Sequence, residues 1–225
     1  MRLRAPRSAV AAAFKRAARP ASSTPWRSAR WCAVDLELTG LGPDDEIIAI
    51  GAVPIDDGRV MLGKALYTLA RPSRAPSVSA VVVHKLRSAD LSQAAPLDDA
   101  MELLLGVMSG RVPVFHTAAV ERMFLGRELR RRRVRLPPSA DTEALGRRWL
   151  LERDGSEPTG MSLARLAAAL GQLAEPPHHA LGDALTTAQA FVAVASHLDP
   201  LGFRTVGSLI EASRPPLTAR RFGPM

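Results

Sequence analysis

Two acidic residues, Asp35 and Glu37, stand two positions apart within a run of apolar residues. On a β-strand, residues i and i+2 point to the same face, so these carboxylates would lie side by side. Burying two like charges is costly unless a cation neutralises them, and hard oxygen ligands suit Mg²⁺ or Mn²⁺. Because Cys32, Ala33 and Val34 precede the pair, we expect a buried strand with a divalent metal site rather than an edge strand with solvated acids.

A third candidate carboxylate, Asp183, stands early in an Ala-rich segment that is predicted to be a helix. An acid at that place can also simply stabilise the helix N-terminus. Two histidines precede it, and a histidine beside a metal site is a good general base near neutral pH. His179 would share a helix face with Asp183, whereas His178 would reach the site only from a loop before the helix. The residues alone leave both histidines open.

A fourth acidic residue, Glu121, belongs to a segment that follows a predicted strand and opens a predicted helix. His116 ends the strand, and Thr117 is a credible N-cap for the helix. Glu121 would reach the metal site from this helix or would lie on the helix surface.

The elements that must position these residues are predicted from hydrophobic periodicity and turn signals. Predicted strands cover residues 31–36, 47–55, 59–69 and 112–116. Predicted helices cover residues 97–108, 118–132, 162–170, 180–198 and 205–212, and one more follows Asp141 and Thr142. Strands first, then strands alternating with helices, indicate an α/β fold with strands in mixed directions.

The net charge of +8 is concentrated at the beginning of the chain. Residues 1–34 hold eight basic and no acidic residues, which leaves 22 of each sign in the remaining 191 residues. We therefore expect residues 1–30 to form a basic, flexible tail that binds phosphates or is a solvated extension. Deletion of residues 1–25 is expected to leave the fold intact.

Composition limits the compartment. No apolar run approaches the roughly 18 residues that span a bilayer, and Lys15 with Arg16 cuts short the apolar stretch that a secretory peptide needs. The single cysteine, Cys32, cannot form an internal disulfide and suits a reducing compartment. We therefore expect a cytoplasmic protein with no membrane partner. The acid-free, Arg- and Ala-rich start also resembles an organellar presequence, which composition alone does not establish.

Together these features resemble the DnaQ-like (DEDDh) 3′→5′ exonucleases, a family that includes the exonuclease domain of the DNA polymerase III epsilon subunit. The family's first motif, Asp-x-Glu-Thr-Thr-Gly-Leu, is similar to residues 35–41, Asp-Leu-Glu-Leu-Thr-Gly-Leu. Its last motif, His-x-Ala-x-x-Asp-Ala, is similar to residues 178–184, His-His-Ala-Leu-Gly-Asp-Ala. The resemblance covers roughly residues 26–198, and the two motifs together are specific.

The resemblance implies a ribonuclease H-like fold, with a five-stranded mixed sheet flanked by helices, in an exonuclease domain over residues 31–198. Residues 199–225 would be a C-terminal extension. The match to the family's last motif implies that His178 is the general base. The residues implied to bind two Mg²⁺ or Mn²⁺ ions are Asp35, Glu37, Glu121 and Asp183. The candidate substrate contacts are Thr39, Gly40, Leu41, His84 and His116, and for His84 a satisfied surface histidine is the alternative.

The middle motif departs from the family pattern. Where the family has His-Asn-Ala-x-Phe-Asp, residues 116–121 read His-Thr-Ala-Ala-Val-Glu, so Glu121 replaces an Asp and is one methylene longer.

The function that the resemblance implies is hydrolysis of phosphodiester bonds at a nucleic-acid 3′ end, which releases nucleoside 5′-monophosphates. Single-stranded DNA is the favoured substrate and RNA the second, and a DNA polymerase is a candidate partner. The alternatives are a non-catalytic nucleic-acid-binding or polymerase-accessory module, and a scaffold that binds acidic partners through the tail.

Overall fold

The structure is a computed structural model that describes residues 5–156 and 158–214. Its centre is one mixed β-sheet. The strands are β1 (Trp31–Leu38), β2 (Ile47–Asp56), β3 (Arg59–Val60), β4 (Leu66–Arg71), β5 (Ala95–Pro96), β6 (Val112–Phe115) and β7 (Ala140–Asp141). Their order is β5–β4–β2–β1–β6–β7, with β3 hydrogen-bonded to β2.

β1 lies in the middle of the sheet, antiparallel to β2 and parallel to β6. The mixed α/β sheet is therefore confirmed, with seven strands instead of five. Three of the seven have only two residues, too short for a periodic pattern to reveal. The predicted strand over 59–69 is divided by a 3₁₀ turn, Leu62–Lys64, which separates β3 from β4.

Helices cover both faces of the sheet. They are α1 (Ala9–Arg16), α2 (Val78–His84), α3 (Ser88–Leu91), α4 (Leu97–Met108), α5 (Ala119–Arg131), α6 (Thr142–Asp154), α7 (Leu163–Ala169), α8 (Ala180–Leu198) and α9 (Val206–Ala212). One core lies under α1, α4 and α5, and a second lies under α6, α8 and α9. None of the described helices combines the length and apolar character needed to cross a lipid bilayer.

The alternation along β1 explains where the acidic residues point. Cys32, Val34 and Leu36 belong to the core beneath α4. The intervening positions face the other side of the sheet, where α8 packs. Asp35 and Glu37 therefore lie on the α8 side, near the carboxyl end of the central strand.

The structure differs from the predicted flexible tail. Residues 9–16 form the amphipathic helix α1, whose Ala11 and Phe14 are fully buried against α4. The N-cap Ser8 donates a hydrogen bond of 2.8 Å to Glu102 of α4, and Trp26 is buried in the second core. The sequence did not indicate α1, because its apolar face is short and lies among many basic residues.

Phe14→Ala should lower the free energy of unfolding by about 3–5 kcal/mol, because it removes a large, fully buried side chain. Chemical denaturation of the two proteins measures this difference. Lys15→Ala, on the exposed side of the same helix, should change stability by no more than about 0.5 kcal/mol. Equal stabilities of the two variants would mean that α1 does not support the core.

The segment after α8 also packs on the domain. Trp26 Nε1 donates to Asp199 at the end of α8 (3.0 Å), and Pro25 forms a β-bridge with Thr205. The hydroxyl of Ser213, just after α9, accepts a hydrogen bond of 2.9 Å from the backbone N–H of Asp141 in β7. Residues 199–213 of the predicted C-terminal extension thus contact the segment before β1 and the edge strand β7.

Candidate active site

Three carboxylates meet at the end of the central strand. One oxygen each of Asp35, Glu37 and Asp183 lies within 4.8 Å of the others. β1 supplies the first two, and the first turn of α8 supplies Asp183. Glu37 is only 7% exposed, and Asp35 and Asp183 are half-buried. Three carboxylates this close together and this far buried repel one another, and a divalent cation bound between them would neutralise their charge.

The electrostatics agree with this geometry. Burial raises the pKa of Asp35 well above its usual range, and the neighbouring charges of Asp183, Glu121 and Glu37 add to that effect. Burial, followed by the charge of Asp183, raises the pKa of Glu37 to about 7. Burial also raises the pKa of Asp183. Without a cation, the charged forms of these carboxyls are therefore less favourable than those of isolated, solvated carboxyls.

Glu121 reaches the same region from α5. β6 runs parallel to β1, so its carboxyl end brings the start of α5 beside the acidic end of β1. Glu121 is 6% exposed, and burial raises its pKa to about 8. It does not belong to the three-carboxylate group, but its charge acts on Asp35. The surface position considered from the sequence is therefore wrong.

Two buried carboxylate oxygens of this region, Glu37 Oε1 and Glu121 Oε2, have no hydrogen-bond partner among the described residues. Buried polar atoms are almost always satisfied, so such oxygens call for an additional partner. Oxygen ligands of this kind fit Mg²⁺ or Mn²⁺. The residues present therefore suit a divalent metal centre.

Without metal, the stability of the protein should fall as the pH rises from about 4.5 to about 8. The pKa of Glu121 is raised in the folded state from 4.5 to about 8, so its stabilising contribution is complete below 4.5 and is lost as the pH rises through 8. Glu121→Gln, which carries no charge, should show a shallower decline.

Denaturation in a metal chelator across this pH range measures the two slopes. The control is Glu152→Gln on the exposed side of α6, which should keep the wild-type slope. If Glu121→Gln also keeps it, Glu121 does not hold a raised pKa.

α8 approaches the sheet closely at Gly51, a residue that the motifs did not indicate. Gly51 is the strand partner of Asp35. A Cβ atom built at Gly51 would overlap the carbonyl group of Ala180 and lie 2.6 Å from the nitrogen of Leu181. Only glycine allows the first turn of α8 to rest on β2, which brings Asp183 to the β1 carboxylates.

The two histidines before Asp183 have different surroundings. His179 is the N-cap of α8: its Nδ1 accepts from Gly182 N–H at 3.3 Å, and its ring stacks on Tyr67. His178 has a left-handed backbone (φ 65°), and its N–H donates to Asp183 Oδ2 at 2.7 Å. Its exposed ring lines a groove beside the carboxylates. This arrangement supports His178, rather than His179, as the residue that is free to act on a substrate.

The groove has a volume of about 660 Å³ and runs between the end of β1, the following loop and α2. Its lining residues include Glu37, Gly40, Leu41, His84 and His178. Leu41 is 71% exposed at the mouth of the groove. His84 is buried rather than a surface histidine, and its Nδ1 accepts a hydrogen bond of 3.0 Å from the N–H of Leu86.

Two of the predicted substrate contacts, Thr39 and His116, are not among the residues that line this groove. The hydroxyl of Thr39 is buried, donates to Asp45 at 2.7 Å and accepts from the N–H of Glu46 at 2.9 Å. His116 Nδ1 lies 2.9 Å from the hydroxyl of Thr142 at the start of α6, outside the groove lining. In this structure, Thr39 shapes the loop, and His116 connects the segment after β6 to the start of α6.

The loop over residues 39–46 is also held from outside. Arg127 of α5 donates to the carbonyl oxygen of Pro43 at 2.6 Å and to that of Asp45. Its guanidinium lies 5.0 Å from the ring centre of Phe124. Since Leu41 is part of this loop, Arg127 links the groove wall to the helix that carries Glu121. Such a contact between distant segments has no local sequence signal.

Two solved structures share this fold. The structure titled Exonuclease X in complex with 5′ overhanging duplex DNA superimposes with a TM-score of 0.60 and 21% identity, over 82% of this chain and 99% of that one. The nuclease domain of 3′hExo, described as a DEDDh family member bound to rAMP, gives 0.60 and 16%, over 77% and 92%. These likenesses confirm the ribonuclease H-like fold.

Sequence comparison gives the family. A polymerase III subunit epsilon-like protein of Rhodobacter capsulatus is 30% identical over 197 residues, which are 86% of this chain and 27% of that protein. A PolC-type DNA polymerase III of Thermotoga petrophila is 29% identical over 82% of this chain and 13% of its own length. The chain thus spans about a quarter or less of these relatives. The profile of the exonuclease family RNase_T matches residues 32–191, and the chain belongs to that family.

Proposed function

We propose that this protein is a metal-dependent 3′→5′ exonuclease, which hydrolyses phosphodiester bonds at a nucleic-acid 3′ end and releases nucleoside 5′-monophosphates. One observation carries the proposal: three carboxylates within 4.8 Å stand at the edge of a groove that His178 also lines. The groove has a volume of about 660 Å³, and the acidic cluster is unfavourable without a cation.

Asp35, Glu37 and Asp183 would hold two Mg²⁺ or Mn²⁺ ions, with Glu121 contributing from α5. When bound, such ions neutralise charge on the phosphate and stabilise the leaving oxygen. The unpartnered oxygens of Glu37 and Glu121 supply ligand atoms that the protein itself does not use.

The chain's own residues would divide the remaining work. Gly40 and Leu41 form the mouth of the groove, where the apolar Leu41 side chain is available to a terminal base. His178 is next to Asp183 and accessible to solvent, so its imidazole takes the proton from the attacking water. His84, buried in the groove wall, is a candidate hydrogen-bonding partner for substrate.

The direction and product are tested with oligonucleotides labelled at one end. A 5′ label should yield a ladder shortening from the 3′ end, and a 3′ label should appear at once as a mononucleotide. Single-stranded DNA and short RNA form the substrate arms, and an oligonucleotide with a blocked 3′ end is the control. Binding without metal-dependent cleavage would favour the non-catalytic module, and cleavage of the blocked substrate would exclude a 3′ exonuclease.

Cleavage should be faster with Mn²⁺ than with Mg²⁺, because Mg²⁺ demands near-ideal octahedral geometry and Glu121 carries its carboxylate one methylene further than Asp. Glu121→Gln should lose most activity, by about ten- to a hundredfold, since its charge is gone. Rates measured against metal concentration test both statements. If the curves of rate against metal concentration are the same for wild type and Glu121→Gln, Glu121 does not contribute to the metal centre, and only the other three carboxylates do.

A DNA polymerase is the partner that we propose, because the matched Rhodobacter capsulatus protein is named as a polymerase III subunit epsilon-like protein. Co-purification of the tagged chain with a polymerase subunit from its own host tests this. Recovery of the intact, active protein without any polymerase would contradict it.

A further inference from the structure

A row of three residues crosses the strands on the face of the sheet that carries the carboxylates. The strand register pairs Tyr67 of β4 with Gly51 of β2, and Gly51 with Asp35 of β1. Directly paired residues point to the same face. The row therefore consists of an aromatic ring, a position without a side chain and a carboxylate. The first turn of α8 rests on the middle position, where Gly51 faces the carbonyl of Ala180.

His179 connects this helix start to the aromatic end of the row. Its ring lies parallel to Tyr67, with ring centres 4.7 Å apart and planes inclined by 23°. The same ring caps α8 by accepting the Gly182 N–H. Because this cap ties the His179 ring to the helix, a sideways displacement of the helix start would break the stack on Tyr67.

Hydrogen bonds connect His179 to Asp183, and Asp183 to His178. The carbonyl of His179 accepts a hydrogen bond of 2.9 Å from the N–H of Asp183. The Asp183 carboxylate in turn accepts from the N–H of His178 at 2.7 Å. Burial, followed by the charge of Glu37, raises the pKa of Tyr67, which places its ring at the border of the acidic cluster.

We infer that Tyr67 is a positioning residue of the active site: its ring, stacked on His179, holds the first turn of α8 so that Asp183 faces the β1 carboxylates and His178 faces the groove. The inference rests on the proposed function for the roles of Asp183 and His178. The ring, and not the phenolic hydroxyl, performs this task, because the contact with His179 is face to face.

Three variants separate the contributions. Tyr67→Thr removes the ring but keeps a residue that favours a strand. Tyr67→Phe keeps the ring and removes the hydroxyl. His179→Asn keeps a good N-cap acceptor and removes the stack.

The first measurement is amide hydrogen exchange at His178 and Asp183 in the metal-free protein. Tyr67→Thr and His179→Asn should each speed this exchange about two- to tenfold, the range expected for one aromatic pair. Mn²⁺ affinity, followed by electron paramagnetic resonance, should weaken by a similar factor. Tyr67→Phe should stay within about twofold of wild type, and Tyr67→Thr combined with His179→Asn should be no worse than the more affected single variant.

A matched control is available on the same helix. His197 stacks on Trp149 with ring centres 4.8 Å apart, about 21 Å along α8 from Asp183. His197→Asn should leave exchange at His178 and Asp183 unchanged. Additive effects of Tyr67→Thr and His179→Asn, or a Tyr67→Phe variant as impaired as Tyr67→Thr, would overturn the inference. Because exchange needs neither metal nor nucleic acid, a protein that failed to cleave would refute the proposed function and leave this result readable.

Discussion

Replacing Asp35 by Asn should abolish metal-dependent cleavage and at the same time make the metal-free protein harder to unfold. Asp35 is the carboxyl on which the other three acidic residues act, and burial with their charges raises its pKa well above the usual range. Asn has the same shape without the charge, so it relieves repulsion in the metal-free cluster but removes a proposed metal ligand. We expect the rate to fall at least about a hundredfold, since even residues behind metal ligands contribute ten- to a hundredfold.

Two measurements are needed on the same samples: cleavage of a labelled oligonucleotide with Mn²⁺, and thermal unfolding in a chelator at a pH near 8. The control is Asp57→Asn, in the exposed turn between β2 and β3, where Asn also tolerates the left-handed backbone. It should leave both quantities unchanged. If the Asp35→Asn protein cleaves at the wild-type rate, the metal centre does not depend on the β1 carboxylates.

Gly51→Ala should have the second large effect, although Gly51 offers no chemical group. The added methyl group would occupy the space of the Ala180 carbonyl, so α8 has to move away from β2. Overpacking of this kind costs about 1–3 kcal/mol or more in the free energy of unfolding. Displacing Asp183 by about 1 Å can lower the rate about a hundredfold.

The measurements are chemical denaturation and the cleavage rate at saturating metal. Gly63→Ala is the matched control, because Gly63 is exposed, its backbone lies outside the left-handed region and a Cβ there would meet nothing within 4 Å. Wild-type activity and unchanged stability in Gly51→Ala would show that a methyl group fits between β2 and α8 at this point.

The parts of the site that the sequence predicted are those with short-range signals. Asp35 and Glu37 share one side of a strand because their spacing is two, and the strand is buried because its neighbours are apolar. Their clustering with Asp183 was implied by the family resemblance, and in the structure one oxygen of each of the three carboxylates lies within 4.8 Å of the others. The choice of His178 over His179 was open from spacing alone, and the cap and stack of His179 now support the same choice by geometry.

Other parts depend on contacts between segments far apart in the chain. Gly51, Tyr67 and Arg127 act on residues that are 129, 112 and 84 positions away. No periodicity or motif marks such partners, because the contact exists only once the sheet and helices have packed. The same holds for Thr39, whose hydroxyl forms hydrogen bonds with Asp45 and Glu46 and does not line the groove. α1 was missed for a different reason, since its basic residues outweighed a short apolar face.

The hydrogen bond from Asp141 to Ser213 affects how this protein can be divided for experiments. The Asp141 carboxylate accepts the N–H groups of Thr117, Ala118 and Glu143, and so joins the starts of α5 and α6. A recombinant fragment cut to residues 31–198 would keep every proposed ligand, yet it would lose the hydroxyl behind Asp141 and uncover the ring of Phe191 where Trp26 packs. A unit that keeps the contacts of α1 and α9 extends at least from Ser8 to Ser213, and expression trials with both lengths would show the difference as soluble yield.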